Sequence, residues 1–293
     1  MPSITLRAAV PEGDAVWLTA RRLHQGLAGA LLIGSDLRVP ALATKDLTGR
    51  RTLEVVPRGK HLLHRLEGGL TLHSHLRMDG SWRVRAVGAR YAAARRHTTR
   101  ALLWTSEKVA VGDHLGMLDL VRTADEDTVV GHLGPDLLDT AFDRELAMGH
   151  LLSTTDRPVA EALLDQRNVA GIGTIYASEP LFLHGVNPWT DVGTVGAELL
   201  GTVLDTTRTL MVRTCREGRL ATTGRPGVAE DTWVFGRKGL PCHRCGTTVR
   251  MATLGAAPRQ RVLCYCPTCQ GGLAPHDDGT AQAPLGHRRA SYL

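Results

Sequence analysis

Pro241-Cys242-His243-Arg244-Cys245 and Tyr265-Cys266-Pro267-Thr268-Cys269-Gln270, with twenty residues between Cys245 and Cys266, decide how this chain is read. Each Cys-x2-Cys pair can wrap one side of a tetrahedral ion with two thiolates, and the intervening segment closes the site. The spacing predicts one structural Zn²⁺ held by Cys242, Cys245, Cys266 and Cys269, with no open coordination position for chemistry. The alternative is a pair of disulfides. It is the weaker reading because no secretory signal precedes the pairs, and because Cys215 and Cys264 are left over, as expected of a reducing cytoplasm. Arg237, Lys238 and Arg244 lead into the first pair, and Arg259 and Arg261 lie on the segment returning to the second. A metal-pinned hairpin that presents arginines suits contact with phosphate.

Outward from the hairpin, length and composition set bounds. A chain of 293 residues predicts two domains, or two with a small appendage. Its 43% hydrophobic content is ordinary for a globular protein, and no apolar run approaches the length of a membrane span. Lys+Arg exceeds Asp+Glu by 35 − 29 = 6, which favours a polyanionic partner without establishing one.

Patterning divides the rest. Residues 1–9 show no periodicity. Val16, Leu18, Ala20, Leu23 and Leu27 predict a helix from Asp14 to about Leu27, with Asp14 as its N-cap. From Leu31 to about Thr123 the runs Thr52–Val56, His61–Leu66, Leu70–His73, Ser81–Val84 and Ala101–Trp104 are punctuated by Arg-Gly, Gly-Gly, Asp-Gly and Gly-Asp. That is an antiparallel β pattern, a sandwich or barrel. Asp125–Asp139 is polar, contains Gly-Pro, and reads as a linker. Asp143 to about Arg216 reads as helical, with Pro158 in a first turn and a long helix from about Gly193 to Cys215. Residues 217–234 read as a flexible connection and the last twenty as disordered. The expected fold class is multidomain α+β. Its parts are a 1–10 extension, an antiparallel β-sandwich with a helix at its end over 11–124, and a linker over 125–142. A helical domain over 143–234, a hairpin finger over 235–272 and a tail over 273–293 follow.

Four segments together resemble the formamidopyrimidine-DNA glycosylase and endonuclease VIII family. They are Pro11-Glu12-Gly13-Asp14, Arg58-Gly59-Lys60-His61-Leu62 with His75-Leu76-Arg77-Met78-Asp79-Gly80, Asp165 through Tyr176, and Gly236-Arg237-Lys238-Gly239 with the finger. The resemblance runs from about residue 10 to 271. It is greatest to the endonuclease VIII branch and its actinobacterial members, through the Pro-Glu-Gly opening and the short connection around Gly227. It implies that 165–176 belongs to a helix–two-turns–helix DNA-binding element. It also implies a bifunctional DNA glycosylase and AP lyase of base excision repair, acting on oxidised bases, pyrimidines before purines.

By that resemblance Pro11 is the nucleophile, Glu12 the adjacent acid/base, and Lys60 a phosphate contact that assists protonation. The chemistry is coherent, since a secondary amine of moderate pKa attacks C1′ and the resulting iminium acidifies the C2′ proton. His75, Asn168, Thr174 and Arg261 become DNA contacts, and Met78 the wedge left where the damaged base is extruded. Read singly, each residue keeps a plainer alternative: Pro11 a helix-entry proline, Lys60 a surface lysine, His75 a core histidine, Met78 core packing, and the Gly171–Thr174 turn close helix packing. Thr174 stands where the family often has asparagine, and Ala15 where many members carry a second carboxylate. Arg77 and Asp79 flank the wedge by position only, and Arg95, Arg96 and Arg100 fit a DNA-facing loop or a solvated face equally.

Pro11 as written lies inside a peptide bond, and an amide nitrogen cannot attack. Val10 precedes it, and a GTG codon can initiate translation, so the expected start is position 10. Pro2 is the rival nucleophile but has no neighbouring carboxylate. The expected partners are damaged DNA, double- or single-stranded, and no membrane, for a monomer in the bacterial cytoplasm associated with the nucleoid. A DNA-binding paralogue without the chemistry is the alternative.

Overall fold

The structure, a computed structural model, describes residues 11–87, 97–225, 231–256 and 260–285. The expectations placed on residues 1–10, Arg95, Arg96, Gly227, Arg259 and 286–293 lie outside the described residues. The chain divides into two compact units, Met1–Leu133 and Gly134–Leu293.

The first unit begins with α1 (Gly13–Leu27), whose Val16, Ala20, Leu23 and Leu27 are all buried. Apolar residues at this spacing form one stripe, and burying it is what makes the helix stable. Asp14 is not its N-cap, as the sequence suggested. Glu12 holds that position with extended backbone and accepts the first helical bond from Val16 N–H at 3.0 Å. The helix therefore starts before Asp14, which lies buried in the first turn, where the helix dipole still favours an acid.

Among the described residues of this unit eight strands follow: β1 (Gly34–Leu37), β2 (Thr52–Arg58), β3 (His61–Leu66), β4 (Leu70–His75), β5 (Ser81–Ala86), β6 (Thr99–Trp104), β7 (Lys108–Asp113) and β8 (Met117–Arg122). They pair as two four-stranded antiparallel sheets, in the orders β1-β6-β7-β5 and β2-β3-β4-β8. This is the expected sandwich. α1 lies against β2 of one sheet and β5 of the other. At Gly26 an added Cβ would sit 2.7 Å from Val84 Cγ1, so the approach of α1 to β5 needs a residue without a side chain. The sequence reading missed β1, β7 and β8. β7 is buried along nearly its whole length, so its pattern lacks the alternation that marks a half-buried strand.

Residues 125–142 are more than a tether. They contain α2 (Asp127–Val130), and Leu137 is fully buried in the core of the second unit. Its apolar residues are spaced among polar ones, which hid their burial. The second unit continues through α3 (Arg144–Leu152), capped by the Asp143 carboxylate on Leu146 N–H, and α4 (Val159–Leu164), α5 (Thr174–Leu183), α6 (Val192–Val195) and α7 (Ala197–Glu217). The single long helix expected from Gly193 is broken at Gly196, whose φ of +77° ends α6 and starts α7. Pro158 stands just before α4 rather than inside its first turn. β9 (Arg250–Leu254) and β10 (Arg261–Tyr265) form the hairpin, and Leu254 and Leu263 join the helical core.

The described parts of two segments expected to be loose are packed. In 217–234, Ala221 bridges to Asp231, and Thr222, Thr232 and Val234 are buried. In the C-terminal segment, Arg250 Nε donates to Asp277 Oδ2 at 2.7 Å, Tyr265 Oη donates to the same oxygen at 2.5 Å, and Met251 N–H donates to Gln282 Oε1 at 2.9 Å. Asp277 is the partner of a buried arginine, so 273–285 is held on the hairpin. No helix among the described residues is long and apolar enough to cross a membrane.

Three histidines of the second sheet are held neutral. Burial depresses His64 from 6.5 to about 4; burial with nearby histidines and Arg58 takes His61 to about 3; burial with Lys60, Arg77 and His73 takes His75 to about 4. Below pH 6.5 the unfolded chain binds protons that the folded chain refuses, so stability present above that pH is lost as pH falls toward about 4. Thermal unfolding of the full chain is expected at a lower midpoint at pH 5 than at pH 7. An unchanged midpoint would show that these rings protonate freely in the native state.

Candidate active site and nucleic-acid interface

Arg58 is the register partner of His61, so Gly59-Lys60 alone joins β2 to β3. Gly59 has φ +56°, the sign that the first central residue of a type I′ or II′ hairpin turn requires. The Arg-Gly-Lys-His sequence therefore lifts Lys60 to the tip of a short, stiff hairpin. His75 ends β4 opposite His61, in the same sheet as that tip. Its Nδ1 accepts Arg77 N–H at 2.9 Å, within a turn where Arg77 has φ +52°.

The segment after His75 carries the chain to the other sheet. Leu76 is buried, Met78 is 60% exposed, and Gly80 N–H closes back on Leu76 O at 2.9 Å. A Cβ on Gly80 would lie 2.2 Å from that oxygen, so only glycine fits. The result is an anchored base with a flexible thioether held out into solvent. Met78 is not core packing. Arg77 lies with its aliphatic stem against Gly116.

At the start of α1, Pro11 is half-buried and Glu12 is 2% exposed. A carboxylate this buried is costly unless its position offsets the lost hydration, and a helix N-terminus supplies favourable potential. Pro11, Glu12, Lys60, His75 and Met78 all belong to the first unit. Asn168, Thr174 and Arg261 belong to the second.

Around Asn168 the sequence reading needs refinement. Asn168 Nδ2 donates to Ala162 O at 3.0 Å, and Gln166 Oε1 takes the Gly171 N–H at 3.0 Å. Gly171, at φ +105°, makes the turn possible. Thr174 opens α5. In the hairpin, Arg261 is exposed at the first residue of β10, next to the loop, as expected of a residue at the tip. Arg244 is different: its guanidinium lies 4.5 Å from the Phe182 ring and donates to Phe182 O and Leu183 O at 3.2 Å. It ties the hairpin to α5 while remaining exposed. Arg100 donates to His97 O at 2.7 Å.

The four cysteine sulfurs lie within 4.8 Å of one another. Four thiolates around a tetrahedral ion with bonds of about 2.3 Å stand about 3.8 Å apart, so the cluster fits a closed metal site. Arg244 N–H points at Cys242 Sγ at 3.4 Å, the kind of backbone donor that such sulfurs accept.

Sequence reasoning missed Glu179. It is fully buried on α5, and its carboxylate accepts Trp233, Val234 and Phe235 N–H at 2.7–2.8 Å together with the Thr222 hydroxyl. Burial pushes its carboxyl up from the ordinary range, and the four donors oppose this. The one signal was a lone acid in the otherwise apolar run Ile175–Leu183.

Two family profiles match the chain: the formamidopyrimidine-DNA glycosylase N-terminal domain over residues 10–114, and the formamidopyrimidine-DNA glycosylase H2TH domain over 133–224. A probable endonuclease 8 2 from Streptomyces coelicolor is 51% identical over 270 residues, 92% of this chain and 97% of the relative. The chain belongs to the formamidopyrimidine-DNA glycosylase and endonuclease VIII family. A family member from Mycolicibacterium smegmatis, DNA-(apurinic or apyrimidinic site) lyase Nei2, is 38% identical across 89% of this chain and 99% of its own length. Among solved members of the family, formamidopyrimidine-DNA glycosylase from Lactococcus lactis, bound non-covalently to DNA containing an AP site, superposes with a TM-score of 0.73. It is 23% identical, over 89% of this chain and all of that one, and shows the shared fold.

Removing the Glu179 carboxylate leaves three backbone N–H groups without their acceptor, at about 1–3 kcal/mol each. Glu179→Ala is therefore expected to lower the unfolding free energy by about 3 kcal/mol or more in urea titration. A loss below about 1 kcal/mol would show that water replaces the carboxylate at no cost.

Proposed function

We propose that this protein is a bifunctional DNA glycosylase and AP lyase of base excision repair, working through a Schiff base on Pro11. The observation that carries the reading is the Pro11-Glu12 pair at the entry to α1, with Glu12 buried to 2% exposure. A carboxylate enclosed next to the Pro11 nitrogen is placed to exchange protons with it. Family membership and the relatives named as endonuclease 8 and AP lyase support the same reading.

The residues divide the work. The Pro11 nitrogen donates its lone pair to C1′ of the damaged nucleotide as the base departs with the C1′–N bonding electrons and takes up a proton. Pro11 then loses its own N–H proton, and the C1′–O4′ bond opens with its electrons going to O4′, which Glu12 protonates. The resulting iminium acidifies C2′–H. Loss of that proton expels the 3′ phosphate and cuts the strand. Glu12 exchanges protons beside Pro11. Lys60 meets the phosphate flanking the lesion, and Met78 occupies the space vacated by the extruded base, restoring lost stacking. His75, Asn168, Thr174 and Arg261 contact the backbone or groove. Oxidised pyrimidines are the preferred substrates, in double- or single-stranded DNA, for a monomer acting in the bacterial cytoplasm. Cys242, Cys245, Cys266 and Cys269 hold one Zn²⁺, which fixes the hairpin that carries Arg261.

This chemistry requires a free secondary amine at Pro11, so the active form begins there. A chain beginning at Pro11 is expected to be trapped on abasic-site DNA by borohydride, and Pro11→Gly to reduce or abolish trapping. A protein shown by intact mass to retain residues 2–9 is expected to bind DNA without crosslinking. Trapping by that extended chain would overturn the assignment to Pro11 and favour Pro2. A correctly trimmed chain that binds but never crosslinks is the non-catalytic paralogue.

Elemental analysis is expected to give one zinc per chain. Cys266→Ser should lose it, with a lower unfolding midpoint and weaker DNA binding. Full stability in a zinc-free chain would exclude the structural role.

A further inference from the structure

The sheet that carries Lys60 also carries a directed chain of hydrogen bonds that the chemistry above does not use. On adjacent strands, His73 is the register partner of Asp119, and His61 that of His75. His73 is fully buried, while the Asp119 side chain is 48% exposed. The Asp119 carboxylate can only accept, so His73 Nδ1 carries the proton in their contact at 3.3 Å. That leaves the lone pair on His73 Nε2, and His61 Nδ1 donates to it at 2.8 Å. The two rings are 15° from parallel with centroids 5.0 Å apart. That is the near-coplanar geometry of an in-plane N–H···N bond rather than of a face-to-face stack.

The plane of His61 is thereby set from behind, and His61 stands at 87° to His75 with centroids 4.8 Å apart. His75 is constrained twice. Its ring rests against His61, and its Nδ1 is occupied by the Arg77 N–H. A neutral His75 then has its one proton on Nε2. Lys60, Arg77 and the neighbouring rings His61, His73 and His132 face this group of histidines, and the cations disfavour adding a further charge.

We propose that Asp119, His73 and His61 are positioning residues that hold His75 as a neutral Nε2–H donor aimed at a DNA backbone phosphate. The inference rests on the lyase reading, in which His75 meets DNA. A neutral donor contributes equally before and at the transition state, so its loss should raise KM and leave kcat alone.

The test uses the full active chain and Asp119→Asn, His61→Phe and, for reference, His75→Phe, each checked for folding by circular dichroism and thermal unfolding. An asparagine can turn its amide N–H toward His73, allowing the opposite tautomer along the chain. Long-range ¹H–¹⁵N spectra of the DNA-free protein should show His61 protonated on Nδ1 and His75 on Nε2 in the wild type, with mixed His61 tautomers in Asp119→Asn. On an abasic-site duplex, Asp119→Asn and His61→Phe should raise KM roughly tenfold, the scale of a small misplacement of a contact, with kcat within about twofold. Folded variants with wild-type KM, or a wild-type His75 protonated on Nδ1, overturn the proposal. A wild-type protein that neither binds nor cleaves abasic DNA overturns the lyase reading, and the phosphate contact with it, whatever the spectra show.

Discussion

A two-residue turn fixes how β2 pairs with β3. Gly59 and Lys60 alone connect β2 to β3, and a turn that short admits one register. Slipping a strand by one residue would move every side chain to the opposite face. The turn leaves Lys60 at the tip, while the separate β3–β4 and β4–β8 registers place His61 across from His75 and His73 across from Asp119. A β-carbon at Gly59 would oppose the positive φ on which this rests, so the site depends on a residue with no side chain.

Each of the two units encloses ionisable groups at a cost in hydration. Glu12 is buried at a helix start, three histidines are depressed far below 6.5, and Glu179 is enclosed on α5. These groups are not handled alike. Glu179 is offset by four donors and closes a structural joint between α5 and the 222–235 segment. The histidines answer burial by remaining neutral, which preserves a donor and an acceptor on each ring. Glu12 sits where a helix dipole favours an anion. The same loss of hydration is thus met by donors at Glu179 and by neutrality at the histidines.

The hairpin shows the same division among arginines. Arg250 is buried on Asp277, while Arg244 lies against the Phe182 ring and carbonyls and stays exposed. Arg261 stands exposed at the start of β10. Three residues of one type on one hairpin therefore have different surroundings, set by what lies against each of them. The ordered segment 273–285 belongs to this joint, because Asp277 satisfies Arg250 and Gln282 satisfies the backbone of Met251.

Local chemistry was legible in the order of the residues alone. The Cys-x2-Cys spacing announced a four-sulfur cluster, alternation and Gly-rich punctuation announced the sandwich, and Pro11-Glu12, Lys60 and Met78 stood out through motifs a few residues long. Each is a short-range property: a turn that needs glycine, a metal that needs four thiolates, a period of two. What only the tertiary structure decided is pairing between residues far apart in the chain. The Asp119–His73–His61 chain, the Glu179 clamp, the break at Gly196 and the contact of Arg244 with Phe182 depend on partners 12 to 62 residues away or on a backbone angle. Periodicity reports which face of an element is apolar. It carries no information about which polar group on another element will arrive to meet it, because that is settled by register and packing.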